Sequence, residues 1–584
     1  MAQHLDNFRI MNIDGIDYYG GYDNKMNFHK GGLAIWVDKC IHVFDSDRYI
    51  SELRYRVNAT SKHEKTCVFD DETFATKGYT YYKKKGVGVT YSTQQIFEDY
   101  IESQRSMIDH IDYAHDWMGW DNNLNYKTPK QKEKRLYKHF TVKLGPRMTS
   151  KYQGAYNIKP MGTWEVWLEG VTEHVLGYLP LEAAIVMGLS AVVVGYFGSK
   201  KLPPNLLFHL VGRSSIGKST AAMLAVSTAG CPNVNAPKEF GRPLMGSWGA
   251  TENASLAKLR GNHGVVQCFD EIGTYSENKF EQMLYKLYTG TDKVRLDQNA
   301  QLPDEAEANW CTALISTGEE PLESLMKKTP DGARMRCFQF TDLRITDDQG
   351  EVQTARWTQS AENARAIQAF TSENYGFAAP RLAEIILKIG DEKMSRMYEN
   401  ARKVYLQRKG KSGTLHERRA DFMGMVLLTA YLIEKKMEIP INYKKICDFF
   451  ILNEESFQTE HMHAYKYLCE LATTHRTMHF WDNDDKKNNA SVKELWGTVE
   501  SKHLRMKSRE YEGKTVVREI AFLSTVFEKL LEKQNYTSGR VIDGLKEEGI
   551  LSVEGDGHNT RTRVDPLHPG TYQEYYVIRI FKEE

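Results

Sequence analysis

Three rhythms of apolar and polar positions run through the chain. Leu206-Leu207-Phe208-His209-Leu210-Val211, Val265-Val266-Gln267-Cys268-Phe269 and Thr312-Ala313-Leu314-Ile315 are nearly unbroken apolar runs, and runs of this length predict buried strands. Leu33-Ala34-Ile35-Trp36-Val37 and Ile41-His42-Val43-Phe44 alternate instead, which predicts short strands in a partly β N-terminal domain. A helix is expected there over 93–103, opened by Ser92 or Thr93. A helical rhythm links Leu382, Ile385, Ile386 and Ile389, and another stripe links Ile520, Leu523, Phe527, Leu530 and Leu531. The stretch 179–197 is apolar almost throughout but carries Pro180 and Glu182 and is short for a membrane span, so it predicts a buried helix. Trp164 and Trp167, three residues apart, share one helical face, where core packing is the default.

The first apolar run leads into Gly212-Arg213-Ser214-Ser215-Ile216-Gly217-Lys218-Ser219, which fits G-x-x-x-x-G-K-[ST], and 220–226 continues as a helical pattern. Strand, loop and helix in this order form the setting of a phosphate-binding loop. Gly212, Ser214, Ser215, Ile216, Gly217, Lys218, Ser219 and Thr220 are therefore the expected nucleotide contacts. The glycines let backbone N–H groups turn toward a triphosphate, Lys218 reaches the β and γ phosphates, and Ser219 ligates Mg²⁺. About 50 residues on, the second run ends in Asp270-Glu271. A strand end places Asp270 near Mg²⁺ and Glu271 where a carboxylate orients the attacking water; an acid that only caps a helix is the alternative for Glu271.

The third run ends in Ser316-Thr317, either of which serves as a polar sensor of the water or γ-phosphate, or simply caps the turn at Gly318. Asp331-Gly332-Ala333-Arg334-Met335-Arg336 follows. An arginine here reaches the neighbouring subunit's site in ring ATPases, Arg336 being favoured over Arg334, and this predicts a ring; a surface salt bridge is the alternative. Between the acidic and hydroxyl strand ends, Lys293-Val294-Arg295-Leu296-Asp297-Gln298-Asn299-Ala300 reads as a β-hairpin. Lys293 and Arg295 on it suit the phosphates of a threaded strand, against an ordinary surface loop. No guanine-reading N-K-x-D motif occurs, so ATP is the expected nucleotide.

The phosphate loop through Thr220, Ser247-Trp248-Gly249-Ala250-Thr251, Cys268-Phe269-Asp270-Glu271-Ile272-Gly273, Ile315-Ser316-Thr317-Gly318-Glu319 and Gly332-Ala333-Arg334-Met335-Arg336 occur in one order. Taken together they resemble the minichromosome-maintenance-like AAA+ helicases of mobile genetic elements, most clearly over 162–340. The Walker motifs are generic, whereas the Ser-Trp-x-x-Thr segment and the Gly-x-x-x-Arg ending are more particular. The resemblance implies an AAA+ core with a helical lid in a homo-hexameric ring. It also implies ATP and Mg²⁺ as cofactors, and movement 3′ to 5′ on single-stranded and forked DNA alongside replication proteins of the same element. The hairpin and sensor regions depart from the family, and their residues do not match one to one.

With that, the chain divides into a mixed α+β N-terminal domain (1–155), a P-loop core with leading helices (156–345), a helical lid (346–481), a polar linker (482–495) and a winged helix (496–584). The lid offers Arg381 and Arg419 as further nucleotide contacts. In the last domain two helices and a hairpin offer Arg540, Asn559, Arg561 and Arg563 to DNA, although winged helices also bind proteins.

Composition adjusts this picture in three ways. Basic and acidic residues balance at 77 each, so any nucleic-acid contact must come from local clusters such as Lys83-Lys84-Lys85 or the lysine-rich run 127–138; solvated lysines are the plainer reading of both. The eight cysteines form no C-x-x-C pair and read as small buried residues. The start lacks a basic flank followed by an apolar core, so a cytoplasmic protein without membrane association is expected. Two other classes remain open. A protein remodeller would want an aromatic pore loop in place of Lys293 and Arg295. A DNA-binding initiator that does not unwind would hold its affinity in the winged helix.

Overall fold

The computed structural model describes residues 5–121, 135–146, 148–198, 205–237, 241–275, 280–291, 309–325, 337–341, 343–347, 349–409, 414–454, 460–484, 486–501, 510–511, 513–534, 536, 538–553 and 558–582. The unbroken apolar runs form its centre. Met245–Ser247, Gln267–Asp270, Ala313–Gly318, Leu206–Val211 and Cys337–Phe340 lie side by side, in that order, as a parallel sheet. Such a sheet must be covered on both faces, and the strands supply both. Phe208 and Ile315 join a core shared with helices Leu179–Gly198 and Lys218–Ser227. Leu207 and Leu314 pack on the other side with Phe280, Met283 and Leu284 of helix Phe280–Thr289.

Helix Leu179–Gly198 is long and apolar enough to cross a membrane, yet 94% of its most apolar window is buried inside the protein. It lies between helix Lys218–Ser227 and the helices Ala378–Ile389, Thr414–Lys436 and Tyr443–Glu454, so it is apolar all round because it has no solvent face. Contact with helix Lys218–Ser227 is close at Gly188, where a Cβ would come 2.2 Å from the Ala225 carbonyl oxygen. Trp164 and Trp167 stack on helix Trp164–His174 at 5.3 Å, and buried Trp167 donates to Ser227 Oγ at 3.1 Å.

The N-terminal region is mixed α and β. An antiparallel sheet of Asp6–Ile13, Ile16–Tyr22 and Phe28–Leu33 and a six-stranded sheet that includes Ile35–Val43, Arg48–Tyr55 and Lys65–Asp70 share helix Gln94–Arg105. The region is built into the centre, for strand Met118–Trp120 pairs with Asn262–His263, and the Trp120 indole N–H donates to the Val192 carbonyl at 2.7 Å.

Burial holds His115, His139, His209 and His263 down to about pKa 4. All four are neutral when folded and take up protons near pH 6.5 when unfolded. Their contribution is therefore complete above pH 6.5 and is lost as pH falls from there through 4. Thermal melts are expected to show a midpoint at pH 5 lower by about 5 °C or more than at pH 7.

The C-terminal part has a separate core. Helix Glu460–Thr474 packs with Ser538–Glu547, and a sheet runs Phe480–Asp482, Gly497–Glu500, Lys514–Leu523, Tyr572–Phe581, Arg561–Val564. Three expectations change here. The stretch read as a linker is folded: Asp482 pairs with Arg476 at 2.6 Å, and the buried Asn489 amide bonds the Asp482 backbone on both sides, at 2.8 and 3.0 Å. A run of Asp and Asn reads as a linker from its polarity alone, but it folds because its polar groups satisfy one another. The stripe from Ile520 to Leu531 is two elements, strand Lys514–Leu523 and helix Ser524–Lys533, because Ile520-Ala521-Phe522-Leu523 is a continuous apolar run that packs on both faces of a strand, Ile520 and Phe522 on one and Ala521 and Leu523 on the other. Helix Glu460–Thr474, assigned to the lid by sequence, contributes Ala464 and Leu468 to the C-terminal core.

Candidate nucleotide site

Strand Leu206–Val211 runs into a loop whose turns need left-handed backbone: Gly212 at φ 145°, Ser215 at 69° and Gly217 at 91°. Gly217 has a second reason to lack a side chain, since a Cβ there would come 2.4 Å from Thr358 Oγ1. Gly217 caps helix Lys218–Ser227, so helix-end N–H groups face into the loop. The Lys218 ammonium lies within the loop, donating to the carbonyls of Gly212 at 2.6 Å and Arg213 at 3.0 Å.

A distant segment holds the loop from behind. Trp357 N–H donates to the Ile216 carbonyl at 2.9 Å, and Gln368 on helix Ala361–Glu373 donates to Thr220 Oγ1 at 2.8 Å. Sequence reasoning missed Trp357, Thr358 and Gln368, and no local motif marks them. Of the two arginines proposed from the lid, Arg381 lies over the Trp164 ring at 4.6 Å and buried Arg419 donates to the Cys337 carbonyl at 2.9 Å. The contacts that hold these two lie away from the loop.

The acidic strand end meets the loop at Ser219, whose hydroxyl donates to Asp270 Oδ1 at 3.0 Å. A single hydroxyl ties the two acids together: Thr317 donates to Asp270 Oδ1 and accepts the Glu271 backbone N–H at 3.0 Å. Glu271 is left-handed at φ 57°, turning the chain out of strand Gln267–Asp270 with its side chain exposed. That is an uncommon conformation for a non-glycine residue and a mark of a constrained site.

Adjacent positions of a strand face opposite ways, and this separates the two sensor candidates. Ser316 is buried and accepts the Trp248 indole N–H at 3.0 Å, with His209 Nδ1 at 2.9 Å. It belongs to a network behind the sheet, while Thr317 faces Asp270. Glu319, one residue past strand Ala313–Gly318, accepts a hydrogen bond from Ser214 Oγ at 2.5 Å. That hydroxyl, with help from the Lys218 charge, holds its carboxyl below the usual range.

Hard oxygen donors from Ser219 and Asp270 beside a helix N-terminus suit Mg²⁺ with a nucleotide phosphate. Lys293, Arg295, Arg334 and Arg336 lie outside the described residues, as does the Arg540 side chain. The other two C-terminal arginines are engaged inside their own domain: Arg561 donates to Ser552 Oγ, and Arg563 pairs with buried Glu519 at 3.2 Å. Helix Ser538–Glu547 exposes Asp543, Lys546 and Glu547, a mixed set of charges.

Comparison with known proteins adds the following. The family model described as "Domain of unknown function (DUF927)" matches residues 11–304, just over half the chain, and the model "Cch helix turn helix domain" matches residues 443–583. A solved structure described as "SCCmec type IV Cch - active helicase" aligns with 100% of this chain and 98% of its own at a TM-score of 0.68 and 20% identity. The two chains thus share a fold over their whole length. No curated protein matches the sequence.

Proposed function

The chain belongs to the DUF927 family, and from the nucleotide site inside that stretch we propose that it is an AAA+ ATPase that separates DNA strands as a homo-hexameric ring. The observation that carries the reading is the Thr317 hydroxyl, which joins both strand-end acids next to the phosphate loop. Lys218 binds the β and γ phosphates of ATP, and Ser219 and Asp270 hold Mg²⁺, which supplies neutralising charge there. Glu271 orients the attacking water and accepts its proton; Thr317 keeps Glu271 in register with Asp270 and serves as the polar sensor. Gly212, Ser214, Ser215, Ile216, Gly217 and Thr220 complete the cradle. An arginine of the next subunit, Arg336 in preference to Arg334, stabilises charge on the transferred phosphoryl group.

DNA as the substrate is supported by the whole-chain likeness to a structure described as an active helicase and by the helix-turn-helix match. Lys293 and Arg295 grip the strand phosphates in the pore, and polarity of 3′ to 5′ together with replication of a mobile element rests on the family resemblance. The reading is tested on a forked duplex with ATP. Replacing Lys293 and Arg295 together by Ala is expected to spare basal turnover and abolish strand separation; undiminished separation would remove them from the pore.

Glu319 sets a limit on nucleotide affinity. Its carboxylate sits on the phosphate loop at Ser214, where it repels a triphosphate. Glu319→Gln is expected to tighten ATP binding by about 3- to 10-fold, read by titration with a fluorescent ATP analogue. Weaker binding would mean that the carboxylate supports the loop rather than opposing its ligand.

A further inference from the structure

The N-terminal region carries a basic and aromatic corner that the nucleotide site does not use. Helix Tyr79–Lys85 presents Lys83, Lys84 and Lys85 in its last turn, all exposed, and Lys77 ends the preceding helix Asp71–Lys77. Lys65 joins them, because it pairs with Tyr55 across strands and the Tyr55 hydroxyl donates to the Lys85 carbonyl at 2.9 Å. From 78 to 97 the chain holds no acidic residue. Glu64, which precedes Lys65, is taken up by Arg54 and Arg56 at 2.7 and 3.2 Å. Among the described residues, neither Lys83 nor Lys84 pairs with a carboxylate.

Aromatic rings are interleaved with these charges. Lys85 and Lys77 lie over the Tyr81 ring at 4.4 and 5.1 Å. Tyr91 is 75% exposed and meets Tyr79 edge-on at 6.2 Å. The corner is rigidly mounted, since buried Tyr82 is bonded through its hydroxyl to the Asp70 backbone at 3.1 and 3.2 Å. Lysines that only stabilise a helix end need no exposed ring beside them. Unpaired cations track a phosphate backbone and exposed rings stack bases, whereas an acidic peptide would use the cations alone.

We propose that this corner, Lys65, Lys77, Lys83, Lys84 and Lys85 with Tyr79 and Tyr91, is a binding site for single-stranded nucleic acid, separate from the nucleotide site and the C-terminal domain. The test measures binding of a labelled single-stranded oligonucleotide to the full chain by fluorescence anisotropy, without ATP, across a salt series. K83E/K84E/K85E is expected to weaken binding by about 10-fold or more and to make the plot of log affinity against log salt shallower by about two. Tyr91→Ala is expected to weaken single-strand binding by about 5- to 100-fold and to leave duplex binding unchanged. Wild-type affinity in both variants, with unchanged melting temperatures, would overturn the proposal. So would loss of binding to a polyglutamate peptide with oligonucleotide binding intact, which would make the corner a dock for an acidic protein. Basal ATP turnover reads the nucleotide site independently, so failure here leaves the ATPase reading standing.

Discussion

Glu271→Gln is expected to lower ATP turnover by about 10²- to 10⁴-fold while leaving ATP bound. The substitution keeps the shape of the side chain and the Glu271 backbone, whose N–H is fixed on Thr317 and whose carbonyl accepts the Thr274 N–H at 3.1 Å. What it removes is the capacity to take a proton from water. Lys218 and the loop glycines, proposed above to hold the phosphates, are untouched. Phosphate release measured beside equilibrium nucleotide binding separates the two effects. Turnover near wild type would remove Glu271 from the chemistry and leave it as a turn residue.

Thr317→Val is expected to be nearly as damaging to turnover, by about 10²-fold, and for a different reason. Valine fills the same space but leaves the part-buried Glu271 N–H without its acceptor and takes a donor from Asp270, at a stability cost of about 1 kcal/mol. Both acids lose their common reference point. The neighbouring Ser316→Ala is the control, because it disturbs Trp248 and His209 behind the sheet. Steady-state phosphate release together with thermal melts checks the pair. Thr317→Val should lose turnover at a temperature where it is still folded, and Ser316→Ala should lose mainly melting temperature. Equal turnover in the two would contradict the assignment of Thr317 to the site.

The comparison of these neighbours shows what was readable from sequence. The phosphate loop and the acidic strand end were legible because their chemistry lies within a few consecutive residues and the flanking apolar runs declare the strand and helix that position them. Ser316 and Thr317 could not be separated, since the parity of a strand is settled only by what packs on each face. Trp357, Thr358 and Gln368 come from about 140 residues beyond the loop, and only the folded chain brings them behind it. Arg561 and Arg563 looked available for DNA because their partners, Ser552 and Glu519, lie 9 and 44 residues away. The polar stretch at 482–495 misled for the same reason: composition records how polar a segment is, and not whether its polar groups find one another. The alternating and helical apolar patterns gave the class of most elements, but failed at Ile520 and Leu523, which a helix would place on one face and the strand places on opposite faces.

Hydrolysis at this site is proposed to be coupled to DNA. The most direct measurement is ATP turnover by the wild-type chain with and without single-stranded DNA, alongside separation of a forked duplex. The expected result is turnover stimulated by DNA, duplex separation that requires ATP, and loss of both in Glu271→Gln. Turnover indifferent to DNA, with no strands separated, would contradict it and point to a machine that acts on proteins or to an assembly switch.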